Sequence, residues 1–297
     1  MRILVTGRQG QVVSSLIEAA AGRPRLEIIA AGRPELDLAD PASVHAAIQA
    51  ARPDIVVSAA AYTAVDQAED EPEIAAAINE RGAGAVAAAA AGIGAPVIHL
   101  STDYVFSGGG ERPYREDDPA APIGVYGATK LAGERAVAAA NPRHLILRTA
   151  WVYSVYGKNF VKTMLRLAAD RDSLSVVADQ WGNPTSAHDI ADAILTAAEQ
   201  LRSDAAPFGT YHLAGNGDTH WAGFAAHVLG TSRTLGGPWA EVREITTADF
   251  PTKAKRPANS RLSTDRFLDA FGWVAPDWRV SSDRVVERLV AAPSGGR

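Results

Sequence analysis

The sequence predicts an α/β fold in which a doubly wound parallel sheet is joined to a smaller second lobe. Short continuous apolar runs alternate with longer helical patterns along the first half of the chain. Such runs indicate strands buried on both faces, which is the condition of a parallel sheet covered by helices. A glycine-containing turn also follows the first run directly, at the place where βαβ units bind ligands. A chain of 297 residues, 47% of them hydrophobic, suffices for one large core or for a core and a smaller lobe.

The predicted elements follow one another in the order that successive βαβ units require. Strands are predicted at 2–6 (RILVT), 26–30 (LEIIA), 54–61 (DIVVSAAA), 96–101 (PVIHLS) and 144–149 (HLILRT), and helices at 11–21, 41–51, 72–91 and 126–140. Beyond residue 149 the alternation becomes irregular, with a helix at 159–169, a strand at 174–178, a helix at 188–201 and a strand at 210–214. After residue 214, proline and arginine residues predict a loop-rich segment.

Composition and charge exclude several classes of function. The formal net charge is −5 and the acids and bases are interspersed, so no basic stripe is present to neutralise nucleic-acid phosphates. Without cysteine, disulfides, thiolate catalysis and cysteine-bound metal are excluded. The tract 83–95 is mostly alanine and glycine and predicts a buried, tightly packed helix rather than a membrane segment. Because a strand begins at Arg2, no room remains for a signal peptide, and we expect a cytoplasmic protein without nucleic-acid or membrane partners.

A turn that contains Gly7 and Gly10 joins the first strand to the first helix. Glycines at this place let the backbone approach a pyrophosphate beside the N–H groups of the helix start. The third glycine of the usual pattern is replaced by Val13, so the helix must pack on the strand with a valine between them. The position of the turn predicts a Rossmann-type dinucleotide site, and a plain strand-to-helix turn is the alternative.

The residues after the second strand bear on which dinucleotide binds. A carboxylate there would grip the ribose diol of NAD, but the chain reads Ala31, Gly32, Arg33. Arg33 is either a ligand of the 2′-phosphate of NADP or a solvated surface charge. Asp37 and Leu38 are expected to flank the adenine. The predicted cofactor is therefore NADPH, with NADH as an alternative.

These features divide the chain into two predicted domains. Residues 1–152 are expected to form the dinucleotide-binding domain, and residues 188–214 to return to it. Residues 153–187 and 215–297 are expected to form a smaller substrate-binding lobe.

Hydroxyl, carboxylate and ammonium groups gather where a parallel sheet binds ligands. Thr102 and Asp103 follow the strand 96–101, and Tyr126 and Lys130 form a YxxxK motif whose spacing puts the phenol and the ammonium on one helix face. A nearby cation lowers the pKa of a phenol, as general acid chemistry requires. We predict that Thr102 hydrogen-bonds a carbonyl, that Tyr126 protonates it, and that Lys130 holds the ribose hydroxyls of the cofactor. A half-buried aromatic beside a surface lysine is the alternative for a lone YxxxK.

Several sequence blocks, spread along nearly the whole chain, match a known family in the family's own order. They are RPDIVVSAAAYTAVDQAEDEPE, STDYVFSG, YGATKLAGE, LRTAWVY, NFVKTMLRLA, DQWGNPT and RPANSRL. In these blocks the chain resembles the extended short-chain dehydrogenases/reductases, and among them the reductases of dTDP-linked 4-keto-6-deoxy sugars. The resemblance implies hydride transfer from a reduced nicotinamide to the C4 keto carbon of dTDP-4-dehydro-L-rhamnose, which gives dTDP-L-rhamnose.

Matching the family's motifs residue by residue implies roles for individual side chains. Thr102, Tyr126 and Lys130 match the catalytic positions, and Leu100 stands where relatives often have a tyrosine. The residues implied to line the cofactor are Gly10, Gln11, Val12, Asp37, Leu38, Ala61, Tyr62 and Thr63. The residues implied to contact the substrate are Thr102, Asp103, Trp151, Arg256 and Asn259. Trp151 would offer an apolar wall to the sugar's methyl face and Arg256 charge-assisted bonds to a phosphate. Their alternatives are a core tryptophan at a domain hinge and a basic surface loop.

The resemblance also bears on metal and on the histidines. Some relatives bind magnesium through glutamates that bridge two subunits, but the aligned position holds His188. Magnesium prefers oxygen ligands, so no metal site is predicted, and a homodimer is left open. Glu287 would be the first residue to test if magnesium proved necessary. His99 and His212 are expected to be satisfied core or crevice histidines.

Two other functions compete with this interpretation. A nucleotide-sugar epimerase or dehydratase of the same fold also uses a Thr or Ser, a Tyr and a Lys. A non-catalytic regulatory subunit, like the family branch that binds a methionine adenosyltransferase, would not need Thr102, Tyr126 and Lys130 together. The intact set favours catalysis.

Overall fold

The structure is a computed structural model that describes residues 1–203 and 205–291. Its strands are β1 (Arg2–Thr6), β2 (Glu27–Ala31), β3 (Ile55–Ser58), β4 (Val97–Thr102), β5 (His144–Thr149), β6 (Val152–Tyr153), β7 (Ser173–Val177), β8 (Trp181–Gly182), β9 (Thr185–Ser186), β10 (Gly209–His212), β11 (Thr219–His220) and β12 (Glu241–Ile245). Its α-helices are α1 (Gln11–Ala20), α2 (Pro41–Ala51), α3 (Val65–Ala68), α4 (Pro72–Ala76), α5 (Ala83–Gly92), α6 (Val125–Ala140), α7 (Phe160–Ala168), α8 (Ala187–Gln200), α9 (Trp221–Thr234), α10 (Asp265–Phe271) and α11 (Trp278–Ala291).

The central sheet is parallel and, within the described residues, has six strands in the order β2-β1-β3-β4-β5-β10. The chain runs from β1 outward to β2 and then crosses to β3 on the other side of β1. The strand order therefore reverses between β1 and β3, and ligands of doubly wound sheets bind beyond the carboxyl ends of the strands at such a point. The predicted fold class is confirmed.

The strands at the centre of the sheet are buried because their side chains are apolar on both faces. All residues of β3 and β4 are buried, and so are the last four of β1. Helices α1 and α8 pack on one face of the sheet, while α2, α5 and α6 cover the other. Each fully buried Val, Leu or Ile side chain contributes roughly 1.5–3 kcal/mol relative to exposure. This core fixes the strand ends that carry the polar groups.

The predicted helix 72–91 is a composite of α4, a π-helical turn at Ala77–Gly82, and α5. The buried, tightly packed helix expected for the alanine-rich tract is confirmed, because a Cβ on Gly84 of α5 would lie 3.1 Å from the Ala136 Cβ of α6. In the part of the chain that the structure describes, no helix is long and apolar enough to cross a membrane.

A second hydrophobic core lies outside the central sheet, where α7, α9 and α11 pack around the parallel pair of β7 and β12. The expectation of a loop-rich segment after residue 214 is wrong, since β11, α9, β12, α10 and α11 all lie there. Gly223 and Gly230 weaken the helical pattern of α9, and its last turns hold threonine and serine. Burial of Phe224 and Val228 against α7 and α11 outweighs that weak local propensity.

Candidate active site

The turn between β1 and α1 has the shape of a phosphate cradle. Gly7 has a φ of +107°, which glycine adopts without strain, and its N–H donates to the Ala31 carbonyl at 2.6 Å. A Cβ on Gly7 would lie 3.3 Å from Val13 Cγ2, so the glycine leaves room for the valine that replaces the usual third glycine. Gly10 precedes α1 in an extended conformation and caps it without a side-chain hydrogen bond. The first N–H groups of the helix are therefore open to an anion, and the turn fits a dinucleotide pyrophosphate.

Two clefts meet over this turn. The deep cleft has a volume of about 560 Å³, and the residues predicted for the cofactor that line it are Gly7, Gly10, Gln11, Val12, Ala61, Thr63, Tyr126 and Lys130. The outer cleft has a volume of about 510 Å³, and the corresponding residues are Gly7, Arg33, Asp37, Leu38 and Ala61. Because the two clefts share Gly7 and Ala61, one extended ligand can span both. Together they hold every residue predicted for the cofactor except Tyr62.

Tyr62 lines neither cleft, because its side chain and its backbone are bonded to neighbouring residues. Its hydroxyl donates to Glu71 Oε2 at 2.7 Å, and this hydrogen bond raises the pKa of Tyr62 to about 12. The buried Asn79 accepts from the Tyr62 N–H at 2.8 Å and donates to its carbonyl at 3.1 Å. Asn79 also donates to Thr129 Oγ1 at 3.2 Å, so it ties the 61–63 loop to α6, the helix that carries Tyr126 and Lys130. The sequence analysis did not identify Asn79. An amide in an alanine-rich buried helix could have pointed to it, because a buried amide needs hydrogen-bond partners.

The outer cleft carries two arginines. Arg33 is exposed at its rim, and Arg8 lines the same cleft while it is ion-paired with Glu35. Asp37 accepts from the Ala39 N–H at 2.9 Å, which shapes the turn in which Leu38 is buried. The sequence interpretation missed Arg8, which lies within the glycine turn itself.

A loop after β6 lies along the deep cleft and is held by Gln11. Ser154 Oγ and Asn159 Nδ2 each donate to Gln11 Oε1 at 2.9 Å. Gly157 and Lys158 in this loop line the deep cleft, and neither was among the predicted residues. A lysine beside a glycine just after a short strand is the signal that could have found them.

Thr102, Asp103 and Tyr126 lie together at the carboxyl end of β4. Thr102 Oγ1 donates to Asp103 Oδ1 at 2.9 Å and is also a hydrogen-bond neighbour of the Tyr126 phenol. Burial raises the pKa of Asp103 to about 6, although hydrogen bonds from Ser260 and Thr102 lower it. A Cβ on Gly127 would lie 2.1 Å from the Tyr104 carbonyl oxygen, so the glycine of the YxxxK motif allows α6 to begin this close to the end of β4.

The expected lowering of the phenol's pKa is wrong for this structure. Burial raises the pKa of Tyr126 above its ordinary value, the Asp103 carboxylate raises it further, and the hydrogen bond with Thr102 lowers it only in part. The Lys130 ammonium instead donates to the Leu100 carbonyl at 2.6 Å and lies 3.3 Å from His99 Nε2. Burial lowers the pKa of Lys130 to about 8, although the Glu134 carboxylate raises it. Desolvation therefore dominates at the phenol, and Tyr126 is a protonated donor.

Trp151, which directly precedes β6, has a strained backbone conformation. Its φ of +47° is unusual for a bulky residue, and such strain persists only where the surrounding structure enforces it. The indole stacks on Trp221 with ring centroids 3.6 Å apart and an interplanar angle of 9°. A Cβ on Gly182 would lie 2.5 Å from the Trp151 ring. Trp221 and Gly182, which the sequence did not single out, thus hold Trp151 in place.

A third cavity, the aromatic pocket, lies next to Tyr126. It has a volume of about 400 Å³ and is lined by Tyr104, Phe160, Trp221 and Arg256, among others. The ring of Tyr104 meets that of Tyr126 edge-on at 5.6 Å, which connects the pocket to Tyr126. Arg256 is paired with Asp66 at 2.6 Å. The pocket offers stacking surfaces and a guanidinium, which suit a nucleotide.

Asn259 lines none of these three cavities. It is buried and donates to the carbonyls of Gly110 at 3.2 Å and of Arg112 at 2.8 Å. Its Oδ1 accepts from Arg261 Nε at 2.9 Å. The side chain therefore shapes the loop around Gly110 and is not brought to the deep cleft or the aromatic pocket.

The residues around His188 do not fit a magnesium ion. His188 Nε2 lies 3.2 Å from Glu18 Oε2 and 3.0 Å from Arg288 Nη1, and Arg288 pairs with Glu18 at 2.9 Å. This cluster offers one carboxylate together with a guanidinium that would repel a divalent cation. Among residues 1–203 and 205–291, no group of three His, Cys, Asp or Glu side chains could hold a metal. Glu287 is exposed on α11 and does not belong to the cluster.

The fold and the deep cleft together define a nicotinamide-dinucleotide oxidoreductase of the short-chain dehydrogenase/reductase type. The parallel sheet reverses its order above a glycine turn, and a Thr, a Tyr and a Lys gather at the next strand end.

Comparison with known proteins identifies the family within that class. The model of the RmlD substrate binding domain family matches residues 1–291. The dTDP-4-dehydrorhamnose reductase of Sinorhizobium fredii is 52% identical over 292 residues, 98% of each chain. Crystal structures of the reductase from Clostridium acetobutylicum and of that from Bacillus anthracis in complex with NADP are each 36% identical, with TM-scores of 0.90 and 0.89. They cover 97% and 96% of this chain, and 99% and 98% of their own. The chain belongs to the dTDP-4-dehydrorhamnose reductase family.

Proposed function

We propose that this protein reduces the C4 keto group of dTDP-4-dehydro-L-rhamnose to give dTDP-L-rhamnose, with NADPH as the reductant. The observation that carries the proposal is the convergence of three groups at one end of the cofactor cleft. The Tyr126 phenol and the Lys130 ammonium line that cleft, and the Thr102 hydroxyl adjoins the phenol. Their chemistry matches what reduction of a ketone needs: an oriented carbonyl, a proton for its oxygen, and a fixed cofactor.

The cofactor, when bound, supplies a hydride for the carbonyl carbon. When substrate binds, Thr102 turns its one O–H from Asp103 Oδ1 to the carbonyl oxygen and orients it, because its hydroxyl already stands next to Tyr126. Tyr126 transfers its proton to that oxygen as negative charge develops there, and the raised pKa keeps this proton on the phenol until then. The deep and outer clefts would hold the dinucleotide, with Gly7 and Gly10 available to its pyrophosphate and Arg33 to its 2′-phosphate.

The aromatic pocket is the proposed place for the nucleotide part of the substrate. Phe160 and Trp221 offer faces on which a base can stack, and Arg256 can form charge-assisted bonds to the diphosphate. Tyr104 links this pocket to Tyr126, so a sugar carried by the nucleotide reaches the catalytic groups. Trp151, held by Trp221, forms the apolar wall for the 6-deoxy position. The names of the relatives support the choice of this sugar.

The proposal is tested by mixing the purified protein with NADPH and dTDP-4-dehydro-L-rhamnose. We expect NADPH to be consumed in proportion to dTDP-L-rhamnose formed, as identified by NMR of the product. An epimerase or dehydratase would convert a sugar nucleotide without net loss of NADPH. A regulatory subunit would leave both reactants unchanged, and either outcome would overturn the proposal.

A further inference from the structure

His99 on β4 is a buried side chain that contacts the Lys130 ammonium. Only 1% of its surface is exposed. Its Nε2 lies 3.3 Å from Lys130 Nζ, and its Nδ1 lies 3.1 Å from the hydroxyl of Ser58 on β3, which is buried as well. A continuous line of polar contacts thus runs from Ser58 through the imidazole to Lys130.

The proton positions along this line follow from the chemistry of the three groups. An ammonium has three N–H donors and no acceptor, so His99 Nε2 presents its lone pair to Lys130. The single proton of a neutral imidazole is then on Nδ1, where it donates to Ser58. Burial and the charge of Lys130 hold the pKa of His99 well below its ordinary value. The ring therefore stays neutral and keeps its capacity to accept.

Counting the donors of Lys130 shows what remains for a ligand. The Leu100 carbonyl takes one N–H and His99 takes a second, so the third remains for the deep cleft that Lys130 lines. The one carboxylate that raises the pKa of Lys130 is Glu134, and the oxygens of Glu134 accept from Ser101 and Arg148. The ammonium is thus fixed by neutral acceptors, which hold its position without cancelling its charge.

We propose that His99 is a positioning residue that, oriented by Ser58, fixes the Lys130 ammonium so that its third N–H meets the ribose hydroxyls of the cofactor. This inference rests on the proposed function in so far as Lys130 binds the cofactor there. Burial alone would class His99 as a core residue, but its contact with Lys130 gives it a part in cofactor binding.

The test compares His99→Leu, which removes the acceptor, with His99→Gln, which keeps one. NADPH affinity is measured by fluorescence without sugar, and kcat and KM for NADPH are measured from neutral to alkaline pH. The free energy of a hydrogen bond to a charged group corresponds to a shift of about one unit or more in the pKa of that group. In His99→Leu the Lys130 ammonium loses an acceptor, so the pKa of Lys130 should fall. We therefore expect NADPH affinity to fall about tenfold, and we expect the decline of that affinity with rising pH to begin about one pH unit lower. His99→Gln should recover most of both effects.

His212→Leu is the matched control, because His212 is buried in β10 and contacts the Tyr114 carbonyl instead of Lys130. It should leave the pH profile of NADPH binding unchanged. Should His99→Leu not fold, Ser58→Ala should shift the profile in the same direction by a smaller amount. Unchanged affinity and profile in His99→Leu and Ser58→Ala, or an equal shift in His212→Leu, would overturn the inference. Because affinity is measured without sugar, failure of the proposed sugar reduction remains distinguishable.

Discussion

Lys130 and Arg148 are two buried cations near the carboxyl ends of β4 and β5, and their charges are compensated differently. Arg148 forms a two-pronged ion pair with Glu134, with Nε and Nη2 at 2.9 and 2.7 Å from its oxygens. Lys130 is held by a carbonyl and a neutral imidazole, and burial lowers its pKa to about 8. The carboxylate on α6 thus neutralises the structural cation and leaves the charge of the other available to a ligand. Because its pKa is shifted by burial and it lines the deep cleft, Lys130 is the cation to which we assign ligand binding.

The largest effect is expected for Tyr126→Phe. The substitution removes the proton donor but leaves the two cations and the cofactor clefts in place. Turnover should fall on the order of 10²–10⁴-fold, the usual contribution of a general acid. NADPH affinity should stay close to that of the parent protein, as titration of NADPH fluorescence would show. Near-normal turnover would exclude Tyr126 as the acid.

Glu134→Gln tests whether the ion pair between Glu134 and Arg148 stabilises the fold. The change leaves Arg148 buried without its counter-charge, which typically costs about 3–5 kcal/mol. Chemical denaturation should report that loss in the free energy of unfolding. Adding Arg148→Met to the same chain should recover much of it, because the unpaired charge is then removed. A double variant as unstable as Glu134→Gln alone would argue against the ion pair as the cause.

Arg33→Ala tests the role of an exposed arginine at the rim of the outer cleft. If Arg33 meets the 2′-phosphate, NADPH affinity should weaken by about 1–3 kcal/mol, the range of hydrogen bonds between charged groups. NADH lacks that phosphate and should bind almost as before. Arg8→Ala is a useful companion, because Arg8 lines the same cleft but is paired with Glu35. Equal losses for both cofactors in Arg33→Ala would make it a structural arginine.

No effect is expected when divalent metal is removed. Arg288 provides the positive charge between Glu18 and His188, so EDTA should leave turnover unchanged. Activity that disappears with EDTA and returns with magnesium alone would show that other carboxylates form a site, and Glu287→Gln would then be the first variant to make.

The sequence predicted the parts of the fold and site that depend on local signals. Continuous apolar runs predicted the central strands, and the glycine turn and the YxxxK motif predicted residues that line the deep cleft. The sequence does not predict α9, because that helix depends on tertiary burial of Phe224 rather than on helix propensity. It does not predict the raised pKa of Tyr126 either, because helix spacing says nothing about desolvation. His99, Asn79 and Trp221 act through contacts between distant segments, which a single sequence does not reveal.

The division of roles between the two buried cations is tested most directly by comparing Lys130→Met with Arg148→Met. NADPH affinity and the free energy of unfolding are measured for both variants. Lys130→Met should weaken NADPH by about 1.5–3 kcal/mol, lower turnover as well, and unfold much like the parent protein. Arg148→Met should instead lose about 3–5 kcal/mol of stability, because Glu134 is left buried and unpaired. The account would be contradicted if Lys130→Met bound NADPH normally, or if Arg148→Met lost cofactor affinity while keeping its stability.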